Sequence, residues 1–232
     1  MGMDEPELHE PHDRKKAKRR SVLKRLTVVN AVFIVAIIAL AGISISLFGL
    51  MNHYYDAKYR AQYELVTSLA DSMDTAARNG ITYMVKADDQ DYERIGSAVY
   101  AHTRILWAQD AANAIYVMYP RESKESNAFF SLNGAIGSLE HVVAGYLSKL
   151  QNALQHNETY VSNATVNALL SNATLEISTL KDLLVAGIDQ SRDWYKSPYS
   201  LVKRMDLAAI TSASTQLMDT SHELRELFGY FG

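Results

Sequence analysis

From Leu26 to Met51 the chain reads LTVVNAVFIVAIIALAGISISLFGLM, 26 consecutive residues without an ionisable side chain. As an α-helix this segment would be roughly 39 Å long, more than the ~30 Å hydrocarbon core of a bilayer. A secretory h-region is only about 7 to 15 residues long. Ala39-Leu40-Ala41 ahead of Gly42 has the small residues of a signal-peptidase site. Cleavage there would leave GISISLFGLM as an uncovered apolar N-terminus. A buried core helix is the third reading, and soluble helices rarely stay uncharged over such a length. The segment is expected to remain as an uncleaved signal anchor at 26–51, between a basic tail at 1–25 and a domain at 52–232.

Charge sets the expected orientation. Residues 14–25 hold Arg14, Lys15, Lys16, Lys18, Arg19, Arg20, Lys24 and Arg25 and no acid. On the other flank, residues 52–70 hold only Lys58 and Arg60, offset by Asp56 and Glu64. Basic excess marks the cytoplasmic flank, so this topogenic cluster predicts a cytoplasmic N-terminus and an extracytoplasmic C-terminal domain. Tyr54, Tyr55, Tyr59 and Tyr63 then fall near the outer interface, where amphipathic rings settle. In isolation the basic run would also fit nuclear localisation or nucleic acid. Beside a spanning segment it is expected to attract anionic inner-leaflet lipid, at about 1 kcal/mol per nearby basic residue.

The remaining 181 residues are enough for one domain with its own core. They carry 15 basic against 21 acidic side chains, a mildly acidic surface that argues against a phosphate-binding face. The chain has no cysteine, which excludes disulfides, thiolate catalysis and cysteine-based zinc or iron–sulfur sites. Two of its four prolines, Pro120 and Pro198, lie in this part. Such scarcity suits long helices.

Apolar residues recur in steps of three and four along five stretches. The first is Tyr59, Tyr63, Val66, Ala70, Met73, Ala77, Ile81 and Met84, with a break expected near Asn79-Gly80. The second is Ile95, Val99, His102 and Leu106. The third and least diluted is Phe129, Leu132, Ile136, Leu139, Val143, Tyr146, Leu150 and Leu154. The fourth is Val166, Leu170, Ala173, Ile177, Leu180 and Leu184. The fifth starts from Ser197-Pro198, an N-cap residue before a proline at the first helical position, and continues Ile210, Ala213, Leu217, Thr220, Leu224, Leu227 and Phe231.

Continuing the third stripe by heptads misses the fourth by two residues, a rotation of about 200°. A turn near QHNET is therefore expected. The fold class that results is mainly α: one N-terminal transmembrane helix followed by an extracytoplasmic up-and-down bundle of four or five helices with coiled-coil-like packing. One stretch offers an alternative. Residues 114–132 join NAIYVMYP to NAFFSL through a polar loop, a pattern that would also fit a β-hairpin.

Candidate chemistry is sparse. Asp88–Glu93 reads DDQDYE, but a calcium loop counted from Asp89 would need glycine where Arg94 stands and an acid where Tyr100 stands. Glu140-His141 has no HExxH partner, and the histidines lack metal-ligand spacing along any one helix. His102, on an apolar stripe, is expected to be a satisfied core histidine. No GxSxG elbow, phosphate-binding glycine loop or dinucleotide fingerprint occurs. No enzymatic activity, metal or cofactor is expected. Trp107, Trp194 and Tyr195 would serve either as core anchors or as the lining of a ligand pocket.

Asn157-Glu-Thr, Asn163-Ala-Thr and Asn172-Ala-Thr are sequons, so Asn157, Asn163 and Asn172 are candidate glycosylation sites on an exported domain. On the fourth helix's wheel Asn172 lies about 120° from the stripe's centre and Asn163 about 60°, which favours Asn172 and Asn157. Taken together, the features imply a membrane-anchored binding or sensing module that signals through partners, its tail being too short to hold a signalling domain. The second reading is a structural or assembly subunit of an envelope or surface complex. It resembles a pilin only in placing basic residues before an apolar helix. Expected partners are the lipid bilayer, anionic inner-leaflet lipids, and an unidentified protein or further copies of the chain; nucleic acid is not expected.

Overall fold

A computed structural model describes residues 11–86, 91–156, 158, 163–190 and 201–228, with side chains in the first helix described from Asn30 onward. Nearly every described residue is helical and none is in a strand. Helix α1 spans Pro11–Ala76 and passes into a π-helical turn, Ala77–Ile81, and a short α2, Thr82–Lys86. Then come α3 (Asp91–Val117), α4 (Lys124–Gln155), α5 (Ala164–Gln190), a 3-10 turn (Leu201–Arg204) and α6 (Leu207–Phe228).

The chain divides into two compact units, Met1–Tyr54 and Tyr55–Gly232. In the first, α1 is long and apolar enough to cross a membrane. The basic cluster Arg14–Arg25 lies on this helix's backbone; its side chains lie outside the described residues.

The second unit is a helical bundle with one core. Val66, Leu69, Ala70 and Met73 from α1 enter it with the apolar stripes of α3 to α6. Packing follows the order α3–α4–α6–α5, and the π turn closes the ring by touching both α5 and α3. Consecutive α4 and α5 are thus not close neighbours, because α6 lies between them. A simple up-and-down order, in which each helix packs on the next, is corrected at this point.

The third and fourth stripes are buried as the periodicity predicts, with only Leu154 half-buried. The turn near QHNET is present: α4 ends at Gln155, and the Glu158 N–H donates to the Ala153 carbonyl at 2.8 Å. The hairpin over 114–132 is not. Residues 114–117 finish α3, and the Ser123 N–H closes a turn onto the Pro120 carbonyl at 3.1 Å. Glu122 takes a left-handed φ of 70° in that turn. Ser123 then caps α4, its hydroxyl accepting from the Ser126 N–H at 3.0 Å.

Three further stripes need correction. In the first, Tyr63 is exposed and its neighbour Gln62 is buried. The break near Asn79-Gly80 is a widened π turn, in which Thr82 donates its hydroxyl to the Ala77 carbonyl at 2.8 Å. Gly80 is needed there, since a Cβ would stand 2.5 Å from Ala101 Cβ and 2.9 Å from Ala101 Cα. In the second, Val99 and Leu106 face solvent, while Ala98, Ala101, Ile105, Ala108, Ala112 and Ile115 form the core face of α3. In the fifth, a 3-10 turn and a break precede α6. Asp206 caps it, accepting from the Ala209 N–H at 3.0 Å. Phe228 is buried where Leu227 was expected. Ser197, Pro198 and Phe231 lie outside the described residues.

Candidate functional site

A group of three titratable side chains lies on the seam between α3 and α4. His102 of α3 places Nε2 2.6 Å from Glu140 Oε1, and His141 places Nδ1 2.8 Å from Glu140 Oε2. His102 and Glu140 thus hydrogen-bond across the seam, while His141 approaches the other carboxylate oxygen from the same helix. The Glu140 side chain is 17% exposed, His102 29% and His141 62%. His102 has the partner expected of it, but at the edge of the bundle instead of in its core. The His102–Glu140 bond ties α3 to α4 and leaves His102 its other ring nitrogen. Among the described residues no three His, Asp or Glu side chains are grouped as a metal-ligand set.

A second carboxylate sits between α5 and α6. Glu176 Oε1 accepts the Thr220 hydroxyl at 2.8 Å, while Oε2 is sealed from solvent without a hydrogen-bond partner among the described residues. Burial raises the Glu176 pKa above the usual carboxylate range; the Thr220 bond opposes this and the nearby Asp219 and Glu223 charges add to it. Sequence periodicity does not single out Glu176, because it lies beside the apolar stripe instead of on it.

Against the π turn, Thr82, Val85, Ser171, Thr174 and Leu175 line a cavity of about 260 Å³. Its three hydroxyls donate to the main-chain carbonyls of Ala77, Asn167 and Leu170. They can offer a ligand only oxygen lone pairs, beside a wall of Val85 and Leu175. The lining suits a small apolar molecule.

The outer face of α3 is unlike that of the other helices. Tyr92, Val99 and Leu106 are 82%, 46% and 38% exposed and recur every seven residues, opposite the alanine-rich core face. Trp107 is 52% exposed and so is not a core anchor. The Arg104 guanidinium stacks over it at 4.7 Å and over Tyr100 at 5.3 Å. Trp194 and Tyr195 lie outside the described residues, as do Asp88, Asp89 and Asn157.

Asn163 and Asn172 are both exposed. Asn163 precedes α5 instead of lying on it, so its wheel position does not apply; its side-chain oxygen accepts the Thr165 N–H at 2.8 Å. Asn172 points outward from the middle of α5, as its wheel angle predicts.

These elements define the class: an all-helical bundle joined through α1 to one apolar helix of membrane-crossing length. No family model matches the chain, and no curated protein or solved structure is significantly similar to it.

Proposed function

We propose that the chain is a single-pass membrane protein with a cytoplasmic basic tail and an extracytoplasmic bundle that acts as a binding or sensing module. The observation that carries this reading is the continuity of α1. One uninterrupted helix runs from the basic cluster through the apolar segment into the bundle core, where Val66, Leu69 and Met73 are buried. A change of packing in the bundle therefore acts on the same helix that would cross the bilayer. Signalling passes through partners, and we assign the chain no reaction of its own.

The test is topological. A tag after Gly232 on the full chain is expected to be lost when protease is added to intact cells, while a tag before Met1 survives. A protected C-terminal tag, or a released species beginning at Gly42, overturns the reading. The alternative, a structural or assembly subunit, is favoured by one observation, the exposed apolar strip on α3.

A further inference from the structure

We propose that the outer face of α3 is a self-association surface, on which a second copy of this chain docks its own α3 antiparallel about a two-fold axis near Val99.

An α-helix that is apolar on both sides needs cover on both. The inner side of α3 is covered by the bundle through small residues, Ala98, Ala101, Ala108 and Ala112. The outer side carries Tyr92, Val99 and Leu106 at heptad spacing, with Gly96 and Thr103 between them, all exposed. This alternation of three and four steps is the seam of a two-helix contact.

The occupant follows from self-complementarity. About a two-fold at Val99, Val99 meets its own copy and Leu106 meets the partner copy's Tyr92. Gly96, three residues before Val99, and Thr103, four after it, come within one residue of facing each other, and the missing side chain of Gly96 leaves room there: nothing lies within 4 Å of a Cβ built on it. Charge agrees with this register. Glu93 and Arg104 stand six residues before and five after Val99, and their spacing of eleven residues returns them to nearly the same flank of the helix. An antiparallel pair keeps each flank on its own side, so Glu93 of each copy faces Arg104 of the other. A parallel pair would separate them. Neither side chain has an ion-pair partner among the described residues, although Arg104 is held in place by Tyr100 and Trp107. Such a contact is isologous, with every interaction made twice. Lys58 of α1 lies over the Tyr119 ring just past the end of α3, so the two helices run antiparallel and the two-fold also reverses α1. On the proposed topology the contact therefore joins chains anchored in apposed membranes, or in separate micelles.

The absence of cysteine makes the test direct. Full-length Val99→Cys, in detergent micelles under mild oxidation, is expected to give a disulfide-linked dimer. Lys149→Cys, exposed on α4, should stay monomeric under the same conditions. In the Val99→Cys background, Arg104→Glu or Glu93→Arg alone should lower the dimer yield by about fivefold, as two symmetric surface ion pairs are lost. Combining the two reversals should restore it, because each reversed charge again meets its opposite. Helix content by circular dichroism checks that the variants fold. Val99→Cys cross-linking no better than Lys149→Cys overturns the proposal and gives this face to a different partner. A double reversal that fails to restore the yield overturns the antiparallel register.

Discussion

The hydroxyl of Tyr146 donates to the main-chain carbonyl oxygen of Met84 at 3.2 Å, joining the middle of α4 to the last turn of α2. Tyr146 is fully buried, and its ring meets Phe228 of α6 edge-on at 6.0 Å. Carbonyls in a helix's final turn run out of intrahelical donors, so α4 supplies one. Tyr146→Phe keeps the ring and removes the donor. It should cost about 1 to 2 kcal/mol through the hydrogen bonding lost by a buried acceptor. Urea melts of the full chain in detergent, followed by circular dichroism, measure this.

Two glycines should respond with opposite signs. Gly80→Ala drives a methyl into the Ala101 backbone and should destabilise by about 1 to 3 kcal/mol. Gly96→Ala, exposed in the body of α3 with nothing within 4 Å of the added Cβ, should stabilise by about 0.5 to 1 kcal/mol. Equal effects from the two would contradict the close approach of the π turn to α3.

Leu139, 2% exposed, lies at the centre of the best-filled stripe. Leu139→Ala should cost about 2 to 5 kcal/mol. Lys149→Ala, on the exposed side of the same helix, should change stability by less than about 0.5 kcal/mol. Parallel urea melts compare them directly.

The stability contribution of Glu176 should depend on pH in the less usual sense for a carboxylate. Its folded pKa is raised, chiefly by burial, so the folded state holds the proton more tightly than the unfolded chain does. The cost is present while Glu176 is ionised, above that raised pKa, and fades as pH falls through it. Glu176→Gln should therefore stabilise at neutral pH, with the Thr220 hydroxyl donating to the amide carbonyl instead. The gain should stay below about 1 kcal/mol, because the side chain is only partly buried and solvent screens it. The difference from wild type should shrink on acidification. A gap that widens at low pH would show that the Glu176 pKa is lowered.

Much of the fold is legible in the sequence because helical burial leaves a local period. The stripes from Phe129 to Leu150 and from Val166 to Leu184 each bury one face, and the two-residue slip between them marks a real turn. The candidate sites are less legible. His102 and Glu140 are 38 residues apart, and Glu176 and Thr220 are 44 apart. No local pattern links such pairs until helices are packed.

The sequence by itself determined that one helix is apolar over a membrane's thickness, that the other described residues are mostly helical, and where α4 and α5 face inward. Those features depend on the hydropathy and period of contiguous residues. Only the tertiary structure decided which side of α3 is inside. That helix carries a large apolar strip through Val99 and Leu106 and a small one through Ala98, Ala101 and Ala108, and hydropathy favours the large one. The small one is buried because Gly80 brings the π turn close to the backbone of α3: a Cβ on Gly80 would strike Ala101. Placing α6 between α4 and α5 is likewise a matter of shape. Close packing rewards surfaces that fit at short range, and that fit belongs to pairs of helices that no single stretch of sequence contains.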